Sequence, residues 1–231
     1  MSIHVSANKL AEFIAAKTPE RRRAIVRELR RSRKGYPPPY GCFRKPAKKF
    51  LVGGALDPQP VVQAIKRMEA RRDTEWKQHD SLITIHAFNA LLKAAPAIRA
   101  LGVEFALPPP RAKARLAFGD VTVTATPDLL VRGERNGAPL LGALRFYIAK
   151  GAGYELGRKG SELVSVLEHR WLVSAATGER APDASLCMVF ECFQERITAA
   201  PERYDAHVAE IERGCAELSR IWHLLDGQEA A

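Results

Sequence analysis

The 231-residue chain has four cysteines, and they lack every spacing that would give them chemistry. No two of Cys42, Cys187, Cys192 and Cys215 are separated by two residues, which excludes a zinc knuckle or a dithiol redox pair. Cys187 and Cys192 would point to opposite faces of one strand. Free, mostly buried thiols in a reducing compartment are expected. The histidines at 4, 79, 86, 169, 207 and 223 have no metal-ligand spacing, and no serine, cysteine and histidine grouping suggests a nucleophile. An apolar leader is missing, because Lys9 and Glu12 interrupt the only candidate run, and no stretch approaches the length of a membrane span. A cytoplasmic protein without a membrane partner is the expectation.

Residues 151–160 are glycine-rich and fall between a strand and a helix, where phosphate-binding loops also lie. They lack the Gly-x-Gly-x-x-Gly spacing and a Gly-Lys-Ser/Thr ending, which argues against a nucleotide fold. Arg158 and Lys159 remain available there to touch a phosphate.

Acidic residues are scarce in the first 50 positions, which hold fourteen lysines and arginines against Glu12, Glu20 and Glu28. That segment carries a net +11, against +10 for the whole chain, so the remainder carries −1. A polyanion partner is expected for the N-terminal fifth. Ser6 is an N-cap candidate for one helix, and Thr18-Pro19-Glu20 restarts a second with Pro19 at its first position. On the second, Arg23, Arg27, Arg30 and Lys34 recur at spacings of four, three and four residues, a cationic stripe suited to a phosphate backbone. Tyr36 to Gly41 reads as an extended proline-rich connector leading into the basic Arg44, Lys45, Lys48 and Lys49. Residues 1–56 are thus expected to form a basic helical arm with a linker, and 57–231 an α/β domain.

Within that domain helices are expected over 58–72 and 74–95, the latter apolar on two sides. Strands are expected over 111–118, 121–132 and 139–149, then a helix over 161–174, a strand over 184–193 and a closing helix over 201–225. Strict alternation along 121–132 would place Asp128 on the face of Thr122, Thr124 and Thr126, with Ala143, Arg145 and Tyr147 sharing a face of the next strand.

This order of helix, three-strand meander, helix and strand resembles the PD-(D/E)XK nuclease superfamily, with Thr126-Pro127-Asp128 on the middle strand and Ala143-Leu144-Arg145 on the next. The resemblance implies a restriction-endonuclease-like core in which Asp128 matches the metal-binding carboxylate. Ala143 replaces the second acidic residue and Arg145 the lysine. One carboxylate is a poor anchor for Mg²⁺, and Arg145 clamps phosphate but does not act as a base. The leading expectation is therefore a non-catalytic nucleic-acid-binding protein, with no cofactor. One alternative is a Mg²⁺-dependent nuclease that keeps Asp128 and Arg145. Its second carboxylate would have migrated to Glu75, Asp80, Glu155 or Glu162, with Lys150 or Lys159 as the cation. Another is an interaction subunit with protein partners in a larger assembly, such as a defence complex.

Overall fold

The structure, a computed structural model, describes residues 2–31, 41–70, 75–109, 115–148, 155–175 and 178–229. Strand β1 (Ile3–Ser6) ends at the residue that caps helix α1 (Ala7–Ala15), where the Ser6 hydroxyl accepts from Lys9 N at 3.3 Å. Thr18 caps α2 (Pro19–Arg30) in the same way, with proline in the first turn. Three further helices follow, α3 (Gly41–Val52), α4 (Gln59–Glu69) and α5 (Glu75–Ala100). Next come β2 (Glu104–Ala106), β3 (Arg115–Phe118), β4 (Val121–Thr124), β5 (Leu129–Arg135) and β6 (Ala138–Tyr147). Helix α6 (Gly157–Ala175), β7 (Ala181–Glu191), a 3₁₀ turn (Cys192–Gln194), β8 (Arg196–Ala199) and α7 (Asp205–Glu229) complete the chain.

The strands form two sheets, β1-β4-β3 and β2-β5-β6-β7-β8. β1 runs parallel to β4 and β6 parallel to β7, while the other pairings are antiparallel. Asn136 and Gly137 both have positive φ, which gives the β5–β6 hairpin a turn whose twist matches its strands.

The larger sheet is sandwiched, and alternation along its strands decides which side chain meets which layer. Ala143 and Tyr147 of β6, with Cys187 and Val189 of β7, pack with Leu10 and Phe13 of α1, Leu163 of α6 and Cys215 of α7. Leu144, Phe146, Met188 and Phe190 point the other way, onto Phe43 and Leu51 of α3 and Phe88 and Leu91 of α5.

Three expectations are corrected. Residues 121–132 do not form one strand: the chain leaves β4 at Thr124 and enters β5 at Leu129, in the other sheet. Pro127 has no N–H to give a ladder, so the break falls there and Asp128 does not share a face with the threonines. The first 56 residues are not an appended arm, since β1 is a sheet strand and buried Leu10, Phe13, Phe43 and Leu51 belong to the two core clusters. The basic residues 44–49 lie in α3 rather than in an extended segment, and connector residues 36–40 lie outside the described residues.

Helix α5 buries residues from both of its apolar sides, Ala87 and Leu91 on one and Phe88 on the other, while Leu82 near its start is 67% exposed. It is the one described helix with the length and apolar composition to cross a bilayer, and half of that apolar window is buried inside the protein.

Candidate functional site

The carboxyl ends of the parallel strands β6 and β7 lie beside the start of β5, the edge at which open α/β sheets place their ligands. Asp128 sits at that edge. Its N–H donates to the Leu144 carbonyl and its Oδ2 accepts from the Phe146 N–H, both at 2.9 Å, so the carboxylate is pinned to β6.

Helix α3 closes over it. Arg44 and Lys48 are four residues apart and share a helix face. One guanidinium nitrogen of Arg44 donates to both carboxylate oxygens of Asp128, and Lys48 Nζ lies 3.4 Å from Oδ1. The Asp128 side chain is 5% exposed, whereas those of Arg44 and Lys48 are 38% and 26% exposed. Burial alone would raise the Asp128 pKa. The charge and hydrogen bond of Arg44, the charge of Arg145 and the Phe146 N–H override it and hold the carboxyl below its ordinary value.

Arg145 turns inward. Its Nη1 donates to the Thr126 carbonyl and lies 3.4 Å from Glu168 Oε1 on α6, which leaves it buried rather than facing out as a phosphate clamp. Glu168 is fully buried, with Leu163, Val164, Val166 and Leu167 as buried neighbours on its helix. Its Oε2 and the Arg145 Nε have no hydrogen-bond partner among the described residues. Burial pushes the Glu168 pKa up to about 7, with Arg145 opposing the rise and Asp128 adding to it.

That shift dictates a pH dependence. Between the ordinary value near 4.5 and about 7, the unfolded chain releases a proton that the folded chain keeps. Stability is therefore expected to fall by about 3 kcal/mol across this window and to level off above it. Asp128, with its pKa lowered from 3.8, has the opposite sign and acts only at lower pH. Urea unfolding at pH 5 and pH 8 reads the effect. Glu168→Gln should remove the fall, and a wild-type stability that is flat over the window would contradict this assignment.

Other polar side chains line the same edge. Glu191, at the end of β7, accepts from Ser161 at 2.8 Å and from Arg196. The Tyr147 hydroxyl meets Glu12 at 3.3 Å, and Lys9 ties Glu12 to Glu28 with two contacts of 2.8 Å.

The structure separates the candidate phosphate contacts into two groups. Arg23 and Arg27 on α2, with Lys45 and Lys49 on α3, are exposed and have no ion-pair partner among the described residues. Arg30 pairs with Asp226 at 2.5 Å, Arg158 with Glu162 at 2.9 Å and Lys159 with Glu210 at 2.7 Å. Lys34 and Lys150 lie outside the described residues, as does the Glu75 side chain. Among the possible migrated carboxylates, Glu162 is engaged by Arg158 and His207, Glu155 is exposed and Asp80 is half-buried.

These residues do not fit a Mg²⁺ ion. Both Asp128 oxygens are held by Arg44, and Glu168 faces Arg145, so each carboxylate already has its cation. Among the described residues no three His, Cys, Asp or Glu side chains gather as a ligand set.

Two members of the cluster escape sequence reasoning. Arg44 is 84 residues from Asp128, and the available signal was the spacing of Arg44 and Lys48. For Glu168 the signal was one acidic residue inside an otherwise apolar helix face. No family model, curated protein or solved structure matches the chain. Its class rests on its own fold, an α/β protein with two mixed sheets and helices on both sides of the larger one.

Proposed function

We propose that this protein binds nucleic acid through the cations of α2 and α3, on a restriction-endonuclease-like core that is catalytically silent. The observation that carries the reading is the exposure of Arg23, Arg27, Lys45 and Lys49 without acidic partners among the described residues. Their neighbour Arg22 on α2, by contrast, pairs with Glu217, as Arg158 does with Glu162 and Lys159 with Glu210. Four unspent cations on two helices are free to displace counterions from phosphates, which is the main source of non-specific affinity for nucleic acid.

The core reading is supported by element order. Helix α5 is followed by the antiparallel strands β2, β5 and β6, with the β3–β4 hairpin inserted, and then by α6 and a parallel β7. On this reading Asp128 is the counterpart of the superfamily's metal-binding carboxylate, and its ion pair with Arg44 and Lys48 supports a site that no longer uses a metal.

Fluorescence anisotropy with labelled DNA and RNA over a range of salt concentrations tests the proposal. Affinity should fall steeply with salt, and the double change Arg23→Ala and Arg27→Ala should flatten the log–log slope by about 2. Both side chains are exposed, so the fold should be unaffected. Absence of binding to every probe at low salt would overturn the reading. Cleavage with Mg²⁺ or Mn²⁺ that disappears on Asp128→Asn would overturn its non-catalytic part.

A further inference from the structure

We infer that the carboxyl edge of the five-stranded sheet is a site for single-stranded nucleic acid, where His86 backed by Phe193 stacks on a base while Arg44 and Lys48 take adjacent phosphates. The inference rests on the proposed nucleic-acid binding and adds the strand state and the residues that select it.

The first observation is an aromatic platform. His86 projects from α5 and is exposed, and its ring lies parallel to that of Phe193 in the 3₁₀ turn, with centroids 4.7 Å apart and planes 8° apart. Phe193 is partly buried and packs against both core clusters, which fixes the backing ring. A base stacked on the exposed ring surface would therefore order little that is not already ordered. Duplex bases are occupied with one another, whereas a single strand offers free base faces to such a surface.

The second observation is the state of Arg44. It spends one nitrogen on Asp128, and its other guanidinium nitrogens donate to nothing among the described residues. Because the Asp128 carboxylate is buried, withdrawing its cations would leave an unpaired charge in the interior. Arg44 is thus held in place, 38% exposed and with donors to spare, before any phosphate arrives, and such preorganisation lowers the cost of binding. Asp128 acts here as a positioning residue.

The two features share one edge. Phe193 directly follows Cys192, which lies within electrostatic reach of both Arg44 and Asp128. Helices α3 and α5 pack on the same face of the sheet, and Glu195 beside the platform is neutralised by Lys93 at 2.5 Å. Cations interleaved with an exposed aromatic are the arrangement that sequence-tolerant single-strand binding uses.

The test is anisotropy with a fluorescent 12-nucleotide oligo-dT, its RNA counterpart and a 12-base-pair duplex. Wild-type protein should bind the single strands more tightly than the duplex. His86→Ala should weaken single-strand binding about tenfold with an unchanged salt slope and leave duplex binding as it was. Lys48→Met should flatten the single-strand salt slope by about 1 while Arg44 still satisfies Asp128. Since His86 is exposed, misfolding does not confuse the result. Equal loss on duplex and single strand, or wild-type affinity in His86→Ala, would overturn this site and leave nucleic-acid binding standing. Failure of all three probes would overturn both.

Discussion

Arg145→Met is expected to lower the unfolding free energy by about 3–5 kcal/mol at pH 8, the cost of stripping a buried carboxylate of its partner. Glu168 is fully buried, and among the described residues Arg145 is the one cation bonded to it. Without Arg145, Glu168 must stay protonated to higher pH, so the loss should be smaller at pH 5 than at pH 8. The Thr126 carbonyl, which accepts from Arg145, would lose its donor at either pH. The double variant Arg145→Met, Glu168→Met should recover most of the stability, because well-packed apolar residues replace a buried ion pair at little net cost. Urea midpoints at the two pH values for both variants decide the matter. A wild-type midpoint in Arg145→Met would show that the pair holds nothing together.

Gly142→Ala is the second large effect. Gly142 lies where the register between β6 and β7 shifts, and a Cβ there would run into the carbonyl group and Cβ of Leu186. Backbone cannot swing aside as a side chain does, so the cost should reach the upper end of overpacking, about 3 kcal/mol. For a chain of this size that corresponds to a fall in Tm of about 10 °C. Gly133→Ala provides the internal comparison, because its Cβ would meet a terminal methyl of the same Leu186 at 2.9 Å, and a side-chain end can rotate away. Calorimetry should therefore rank wild type, Gly133→Ala and Gly142→Ala in that order. Equal melting of the two glycine variants would mean that the β6–β7 pairing yields as easily as a leucine methyl.

How legible these features were depends on the distance over which they are determined. Ser6 and Thr18 announce their helices because a cap is decided within three residues, and the alternation of Ala143, Arg145 and Tyr147 against Leu144 and Phe146 is local to one strand. The division of residues 121–132 between two sheets is not local. Val121–Thr124 finds its partners at Ile3–Ser6 and Arg115–Phe118, and only Pro127 hints that the run must stop. Strands β1 and β8 have four residues each, too few for a period to emerge. At the site, Asp128 could be singled out by the Pro127-Asp128 step and Arg145 by its position along β6. Their partners could not, since Arg44 and Glu168 reach them from helices that sequence spacing alone does not dock.

The pairing of β1 with β4 also sets the order in which the protein is completed as it is made. The first helix rests on α6 and α7, so Leu10 and Phe13 leave the ribosome about 150 residues before Leu163 and about 200 before Cys215, their partners in the finished core. Until α6 and α7 emerge, α1 and α2 lack the surface they pack on, whereas β1 and α3 find partners earlier, in β4 and in α4 and α5. A nascent chain stalled before Asp205 would leave α1 and α2 without the support of α7, which holds Arg22 through Glu217.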